Sequence, residues 1–371
     1  MATVPGCFVV TPSDLSALFG ILDELGYRTL GPTVRDGAIV IGEISGISDL
    51  PIGITDEQGP GRYRLRDGVA GAWFGFAVGP QSARAHLSPP ERPLLEIRSR
   101  GPTLEFVEPE HHTERTALFG IRPCDLAAME VQDRVLARGP HPDPRYVAAR
   151  DTTLVVVVNC GVPADTCFCP STRTGPRARS GFDLSVTEVV DQTDHYFVLE
   201  PGSEAGVEIV ERLEHRPADR AEVNAALATT EAAVEAISRS LPEQLNGRLL
   251  AAADHSRWDE VAARCLSCGN CTMVCPTCFC SDVRDTTDLA GDTATRVQVW
   301  DSCFTLGHSH LHGGSVRADT RSRYRQWLTH KLDTWWDQFG QSGCVGCGRC
   351  ITWCPPGIDL TVEAAAIVGG G

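Results

Sequence analysis

The sequence predicts an α+β protein, with a mixed α/β domain at the N-terminus followed by a mostly helical domain. Three observations predict it. Short apolar runs of strand type, Thr116-Ala-Leu-Phe-Gly-Ile and Leu154-Val-Val-Val-Val, stand among turn signals in the first half. Residues from about 218 to 250 are rich in Ala, Glu and Arg, a composition that favours helix. From Trp258 onward, cysteine-bearing loops alternate with segments of helical character such as 320–339. The expected division is an α/β domain at 1–217, a helical bridge at 218–250 and a helical domain at 251–371.

Taken in order, the first expected element is a helix. Pro12 and Ser13 open a run with Leu15, Leu18, Phe19 and Leu22 at helical spacing, and the run ends near Gly26. The segments 27–34 and 38–44 then flank Arg35, Asp36 and Gly37; Asp-Gly between two apolar runs signals a hairpin. The runs at 116–121 and 154–158 are apolar throughout, as strands buried on both faces are, and each feeds directly into a cysteine-bearing loop. A second hairpin is expected within 185–200. The 218–250 stretch either bridges the two domains or closes the first one.

The second half writes one cysteine spacing twice. Cys265, Cys268, Cys271 and Cys275 are followed by Pro276, and Cys344, Cys347, Cys350 and Cys354 by Pro355. This C-x-x-C-x-x-C-x-x-x-C-P run is the bacterial ferredoxin pattern, in which the fourth Cys of each run ligates the other cluster. Two-residue gaps bend a short loop so that three thiolates converge on three corners of one cubane, and the fourth corner is reached from elsewhere. The expected ligand sets are therefore Cys265, Cys268, Cys271 and Cys354 for one [4Fe–4S] cluster, and Cys344, Cys347, Cys350 and Cys275 for a second. Zinc also takes C-x-x-C pairs, but it has no use for a crossed fourth Cys and its following Pro. The helical domain is thus expected to be ferredoxin-like and dicluster. Its long gap between Cys275 and Cys344 distinguishes it from a compact βαβ ferredoxin.

Eight of the 16 cysteines lie outside this motif. Cys124 follows the first buried strand, Cys160 follows the second, and Cys167 and Cys169 come a few residues later. Four thiols on loops at the ends of neighbouring strands suit a third [4Fe–4S] cluster; the plainer alternative is that they pack as small apolar groups. Cys278, Cys280 and Cys303 form a trio directly after the first motif. It reads either as a polar shell that tunes a cluster or as direct iron ligands. Cys7 reads as structural. His308, His310 and His312 read as a solvated loop rather than a metal site, and the tryptophans at 300, 327, 335, 336 and 353 as apolar walls around the clusters.

A chain of 371 residues accommodates two domains, and a composition that is 42% hydrophobic and 22% charged is that of a globular protein. A formal charge of −15 argues against nucleic acid or an anionic membrane surface as partner. No run approaches the ~20 apolar residues of a spanning helix. The opening residues, Met1 to Gly6, carry neither a basic nor an apolar leader segment, so the cysteines read as metal ligands in a reducing cytoplasm. There is no G-x-G-x-x-G after a strand, no Walker A, no C-x-x-C-H and no G-x-S-x-G. Such a chain carries single electrons and leaves hydride exchange to a partner.

Six motifs together carry a family resemblance. They are Ile121-Arg-Pro-Cys-Asp-Leu-Ala, Asn159-Cys-Gly with Thr166-Cys-Phe-Cys-Pro, Cys275-Pro-Thr-Cys-Phe-Cys, Trp300-Asp-Ser-Cys-Phe, Arg323-Tyr-Arg-Gln-Trp and Cys344-Val-Gly-Cys-Gly-Arg-Cys-Ile-Thr-Trp-Cys-Pro. They resemble the iron–sulfur beta subunit of cytoplasmic bidirectional [NiFe] hydrogenases, or sulfhydrogenases, and also the equivalent relay subunit of anaerobic sulfite reductase. The resemblance spans about 120–359. It implies a non-catalytic electron-transfer subunit of a cytoplasmic oxidoreductase complex, placed between a flavin subunit that handles NAD(P) and the small and large hydrogenase subunits. In the sulfite reductase family a sirohaem subunit is the corresponding destination. One reading of a different class is that the extra cysteines reduce thiols or polysulfide in this chain itself.

Overall fold

The computed structural model of the chain describes residues 3–109, 114–191 and 194–369. The first two residues of the opening segment and the tip of the expected 185–200 hairpin, at 192–193, lie outside them. The N-terminal strands are β1 (Thr3–Val10), β2 (Arg28–Arg35), β3 (Ala38–Glu43), β4 (Ile54–Gly59), β5 (Arg62–Asp67), β6 (Glu91–Arg100) and β7 (Thr103–Val107). They are followed by β8 (Thr116–Ile121), β9 (Thr153–Val158), β10 (Leu184–Val190), β11 (His195–Pro201), β12 (Arg216–Asp219), β13 (Ser281–Thr287) and β14 (Thr293–Trp300).

Eight of these form one mixed sheet in the order β12-β1-β11-β10-β9-β8-β2-β3. Its centre is parallel, from β2 through β8 and β9 to β10, and its flanks are antiparallel. Every residue of β8 and β9 is buried, which is why both read as unbroken apolar runs rather than as alternating ones. The β2–β3 hairpin closes with Arg35 opposite Ala38, and both turn residues, Asp36 (φ 50°) and Gly37 (φ 73°), take the left-handed conformation that a tight hairpin needs. The second expected hairpin is β10–β11, with Ser185 opposite Glu200. The first helical run is present as Pro12–Ser16 and Leu18–Glu24, whose Leu15, Leu18, Phe19 and Leu22 are buried. The strand β1 before it was not expected. Its visible signal is the apolar pair Val9 and Val10, both in the core.

Two features depart from a simple linear division. First, the 218–250 stretch is helical only at Arg220–Ala236 and Arg248–Ala251. The longer helix follows β12 directly, is opened by an Asp219–Glu222 capping box, and lies against β1, β10, β11 and β12, so it covers the first sheet. Second, a four-stranded sheet in the order β13-β14-β6-β7 takes two strands from each half of the chain. Arg296 stands opposite Leu95 in the pairing of β14 with β6. The halves are therefore interlocked by backbone hydrogen bonds.

Apart from that hairpin, the C-terminal half is mostly helical. Its principal helices are Arg257–Arg264, Thr320–Thr329, Trp335–Phe339 and Leu360–Val368, with a π-helical turn at His330–Thr334 joining the middle two. The core beneath them is built from Trp258, Phe304, Tyr324, Trp327, Leu328, Leu332, Ile351 and Ile358. Cys265, Cys271, Cys344, Cys350 and Cys354 pack against the same core. Among the described residues, no helix is long and apolar enough to cross a membrane.

Candidate metal centre

The two cysteine runs fold into the same loop twice. In each, the second residue after the leading Cys has positive φ, Ser267 at 51° and Gly346 at 62°, and so does the glycine after the second Cys, Gly269 at 74° and Gly348 at 76°. In each, the backbone N–H of that first positive-φ residue donates to the sulfur of the leading Cys at 3.4 Å: Ser267 to Cys265 and Gly346 to Cys344. In each, a one-turn helix follows, Asn270–Met273 or Arg349–Thr352, and carries the third Cys. Left-handed residues at alternate positions curl the chain so that its N–H groups and thiols face one side, the arrangement that suits an anionic sulfur cluster.

The fourth cysteine of each run is brought to the other loop. Burial raises the Cys271 thiol well above its ordinary value, and Cys303, Cys354, Cys265 and Cys268 add to the effect in that order. Cys354 is likewise raised by burial, with Cys265 and Cys268 among its charged neighbours, and Ile358 N–H donates to its sulfur at 3.4 Å. In the second group, burial pushes Cys344 up to about 12, with Cys347 and Cys275 adding to it. Cys350 is raised well above its usual value by burial and then by Cys344, Cys347 and Cys275. Cys275 alone is lowered, chiefly because Cys278 donates a hydrogen bond to its sulfur. Cys268 is the exposed member of the eight.

These donors fit iron–sulfur clusters. Both groups are all-thiol sets, and soft thiolates favour such clusters over hard cations. Buried thiols resist ionisation, and bound iron supplies the positive charge that makes the thiolate form stable there. Among the described residues, no three or more His, Cys, Asp or Glu side chains close on a single ion. A cubane is a larger body, whose ligands stand around four irons rather than one.

The N-terminal quartet lies against the second loop. Phe168 N–H donates to Gly346 O at 2.8 Å, and the Thr166 and Thr352 hydroxyls are 2.8 Å apart. Burial pushes Cys167 up to about 12, with Cys160 and Cys347 among its charged neighbours. Cys169 is raised by burial and then by Cys160, Cys167 and Cys347. Cys124, in the first turn of helix Pro123–Leu136, is raised by burial, Asp125 and Cys347, with Cys160 a weaker neighbour. Thus the structure brings the four predicted thiols into one neighbourhood beside Cys347.

A buried ion pair joins that neighbourhood to the dicluster loops. Arg349, between Cys347 and Cys350, donates to both carboxylate oxygens of Asp125 at 2.7 and 2.9 Å, and also to Gly79 O and Gln81 O. The trio is divided: Cys278 stands next to Cys275, whereas Cys303 is the leading thiol neighbour of Cys271. Burial pushes Cys303 up to about 12, with Cys280 its leading thiol neighbour, and buried Cys278 touches Cys275. Arg84 stacks over Trp300 at 3.5 Å and donates to Thr272 O and Cys275 O at 3.0 and 3.3 Å. Trp353 stacks on Tyr63, while Trp327 and Trp335 are buried near the loops. Of the histidine tract, His310 and His312 are exposed, and the His308 ring meets the neighbouring Ser309 hydroxyl at 2.9 Å while its backbone N–H donates to the Thr305 hydroxyl at 3.3 Å.

Sequence reasoning did not find Arg84, Asp125, Lys331 or Arg349. Arg349 and Asp125 each carried a signal, a charge set within or directly beside a cysteine motif. Lys331 carried a stronger one, being the single lysine of the chain.

Duplicated all-thiol loops with exchanged fourth cysteines, set in a helical core, define a dicluster iron–sulfur protein of the electron-transfer class. Residues 264–358 match the family model described as a 4Fe-4S dicluster domain. Over 345 residues, covering 92% of this chain and 92% of the relative, the sequence is 34% identical to sulfhydrogenase 2 subunit beta of Pyrococcus furiosus. The chain belongs to the sulfhydrogenase beta-subunit family. No solved structure matches it.

Proposed function

We propose that this chain is the electron relay of a cytoplasmic hydrogenase-type complex, passing single electrons between a flavin subunit that handles NAD(P) and a [NiFe] hydrogenase module. Cys265, Cys268, Cys271 and Cys354 would hold one [4Fe–4S] cluster, and Cys275, Cys344, Cys347 and Cys350 the other. Each cluster supplies reversible one-electron storage when bound. The observation that carries the reading is that the fourth Cys of each doubled run lies among the thiols of the other loop; four sulfurs per cluster would leave no vacant position for substrate chemistry. The residues also differ in access. Cys268 is exposed at one edge, whereas Cys347 is buried beside the N-terminal quartet. That contrast supports a path with one end at the Cys268 surface and a continuation toward Cys124, Cys160, Cys167 and Cys169, which we assign to a third [4Fe–4S] cluster. The quartet's shared neighbourhood and its hydrogen-bonded seat on the Cys347 loop support this assignment.

The test is anaerobic purification of the tagged chain with its native partners, followed by assays of H₂-dependent NAD(P)⁺ reduction and NAD(P)H-dependent sulfite reduction. Hydrogen-driven activity that Cys347→Ser abolishes, while the flavin partner keeps its own hydride chemistry, is the expected result. Sulfite-driven activity alone would move the chain to the sirohaem system. Electron flow that survives Cys347→Ser would refute the relay.

A further inference from the structure

We propose that Lys331 makes the Cys275, Cys344, Cys347 and Cys350 group the higher-potential site of the pair, so that the first electron to enter the dicluster rests there. The inference deepens the dicluster reading and rests on it. Lys331 is the only lysine in the chain; all its other cationic side chains except histidine are arginine. It is also among the most enclosed, at 7% exposure. The π-helical turn His330–Thr334 carries it inward.

The hydrogen bonds around it fix the direction of its charge. Lys331 Nζ lies 2.8 Å from Thr277 Oγ1, which lies 2.8 Å from Gly343 O and 3.2 Å from Cys275 Sγ. A hydroxyl has one proton, so when Thr277 donates to Gly343 its oxygen must accept from the ammonium. Among the described residues, no carboxylate forms an ion pair with Lys331; the cysteines that face it are Cys275, Cys278 and Cys344, and its charge also acts on Cys280 and Cys303. A buried cation without a counter-charge is costly, and the anionic thiolate cluster is the group available to offset it.

Among the described residues, no lysine or arginine stands among the leading influences on the other group, and Lys331 and Arg317 reach it only through Cys303, the leading thiol neighbour of Cys271. The groups acting on Cys265, Cys271 and Cys354 are other thiols and backbone N–H donors, together with the Ser267 hydroxyl at Cys265. The nearby Arg257 and Arg264 are both paired with Glu363, at 2.6 Å. At the second group, Arg349 is matched by Asp125 and is close to neutral as a pair. Arg84 adds a further guanidinium, which near Cys275 meets carbonyls and the Trp300 ring. Reduction adds one negative charge to a cluster. A fixed ammonium at short range in a low-dielectric interior favours the reduced form, more strongly than the same charge would in water. A compact ammonium on a flexible stem also reaches Thr277 with a single point of charge, which a planar guanidinium does not reproduce.

The experiment is a potentiometric titration of the full chain, followed by electron paramagnetic resonance. Cys268→Ser and Cys347→Ser assign the two dicluster midpoints to their groups. Lys331→Met is expected to shift the higher midpoint downward and leave the lower one in place, and Lys331→Arg to recover part of the shift. An unmoved higher midpoint at full iron content, or a shift confined to the Cys268 group, would overturn the proposal. If Lys331→Met fails to hold iron, Thr277→Val decides instead: a smaller downward shift of the same midpoint supports the proposal, and no shift overturns it. Absence of [4Fe–4S] signals from the wild-type protein would overturn the dicluster reading itself, an outcome distinct from a Lys331 variant that changes nothing.

Discussion

Arg349→Met is the most informative structural perturbation. Arg349 is 1% exposed and Asp125 3%, and their bidentate pair is anchored further by Arg349 Nε to Gly79 O at 2.7 Å and Nη2 to Gln81 O at 2.9 Å. Removing the guanidinium leaves a buried carboxylate without a counter-charge and two carbonyls without donors. Breaking a buried pair in this way costs about 3–5 kcal/mol, of which most is the stranded charge. At ~1.4 kcal/mol per factor of ten, the unfolded population should rise by roughly two to three and a half orders of magnitude. The surface pair Arg296–Asp285, with side chains 52% and 62% exposed, is the internal control. Arg296→Met should change stability little, because solvent screens an exposed pair. Anaerobic urea unfolding followed by tryptophan fluorescence compares the two, with iron measured on the same samples. The double variant Arg349→Met with Asp125→Leu should regain much of the loss, because it removes the stranded charge while leaving the two carbonyls unpaired. If Arg349→Met costs no more than Arg296→Met, or if the double variant is worse than the single one, the buried pair does not tie the quartet to the dicluster loops.

Three further outcomes are expected. Cys169→Ser should lower iron from ~12 to ~8 atoms per chain if the quartet holds a third four-iron cluster, measured as iron and acid-labile sulfide; an unchanged count would remove that cluster. His310→Ala should leave iron content and electron transfer unchanged, because its side chain is exposed on a surface loop, and a loss of either would reveal a metal role. His330 is held neutral by burial and then by Lys331 and Arg317, which bring its pKa down to about 4. Since the unfolded imidazole titrates near 6.5, the unfolded state binds the extra proton first, and stability should fall as pH drops from about 6.5 toward 4. His330→Gln should flatten that slope in unfolding measured across the same range.

Much of the architecture was legible because it rests on local chemistry. The unbroken apolar runs of β8 and β9, the Asp36–Gly37 turn and the doubled cysteine spacing each encode their own geometry. The helical character of 320–339 was readable for the same reason, although nothing local announced the π-helical turn that aims Lys331 inward. The sheet joining β6 and β7 to β13 and β14 was not readable. Every residue of β13 is exposed, so Ser281–Thr287 has no apolar alternation, and its neighbour's partner lies some two hundred residues upstream. The helical composition of 218–250 is legible, but neither the end of the helix at Ala236 nor its place is, since composition does not show which surface a helix covers. The Arg349–Asp125 pair was hidden more deeply: each residue is ordinary in its motif, and only the fold makes them partners.

The contacts between the loops explain why the two halves cannot be treated as separable modules. A Cβ placed at Gly346 would come within 2.6 Å of the Cys169 backbone, and one at Gly348 within 2.4 Å of Thr166 O. The second motif loop and the 166–169 loop therefore meet backbone to backbone, at a distance only glycine permits. The same two glycines need positive φ to curl their loop toward the cluster, so one choice of residue meets two demands. With the proposed ligand sets the crossed cysteines would add a second tie, because neither four-thiol set is complete until both runs are in place. Metal binding of this kind is coupled to folding, and the contacts of Gly346, Gly348 and Arg349 would carry that coupling to the loops at the ends of β8 and β9. The N-terminal sheet thus acts as the rigid wall against which the second motif loop is set.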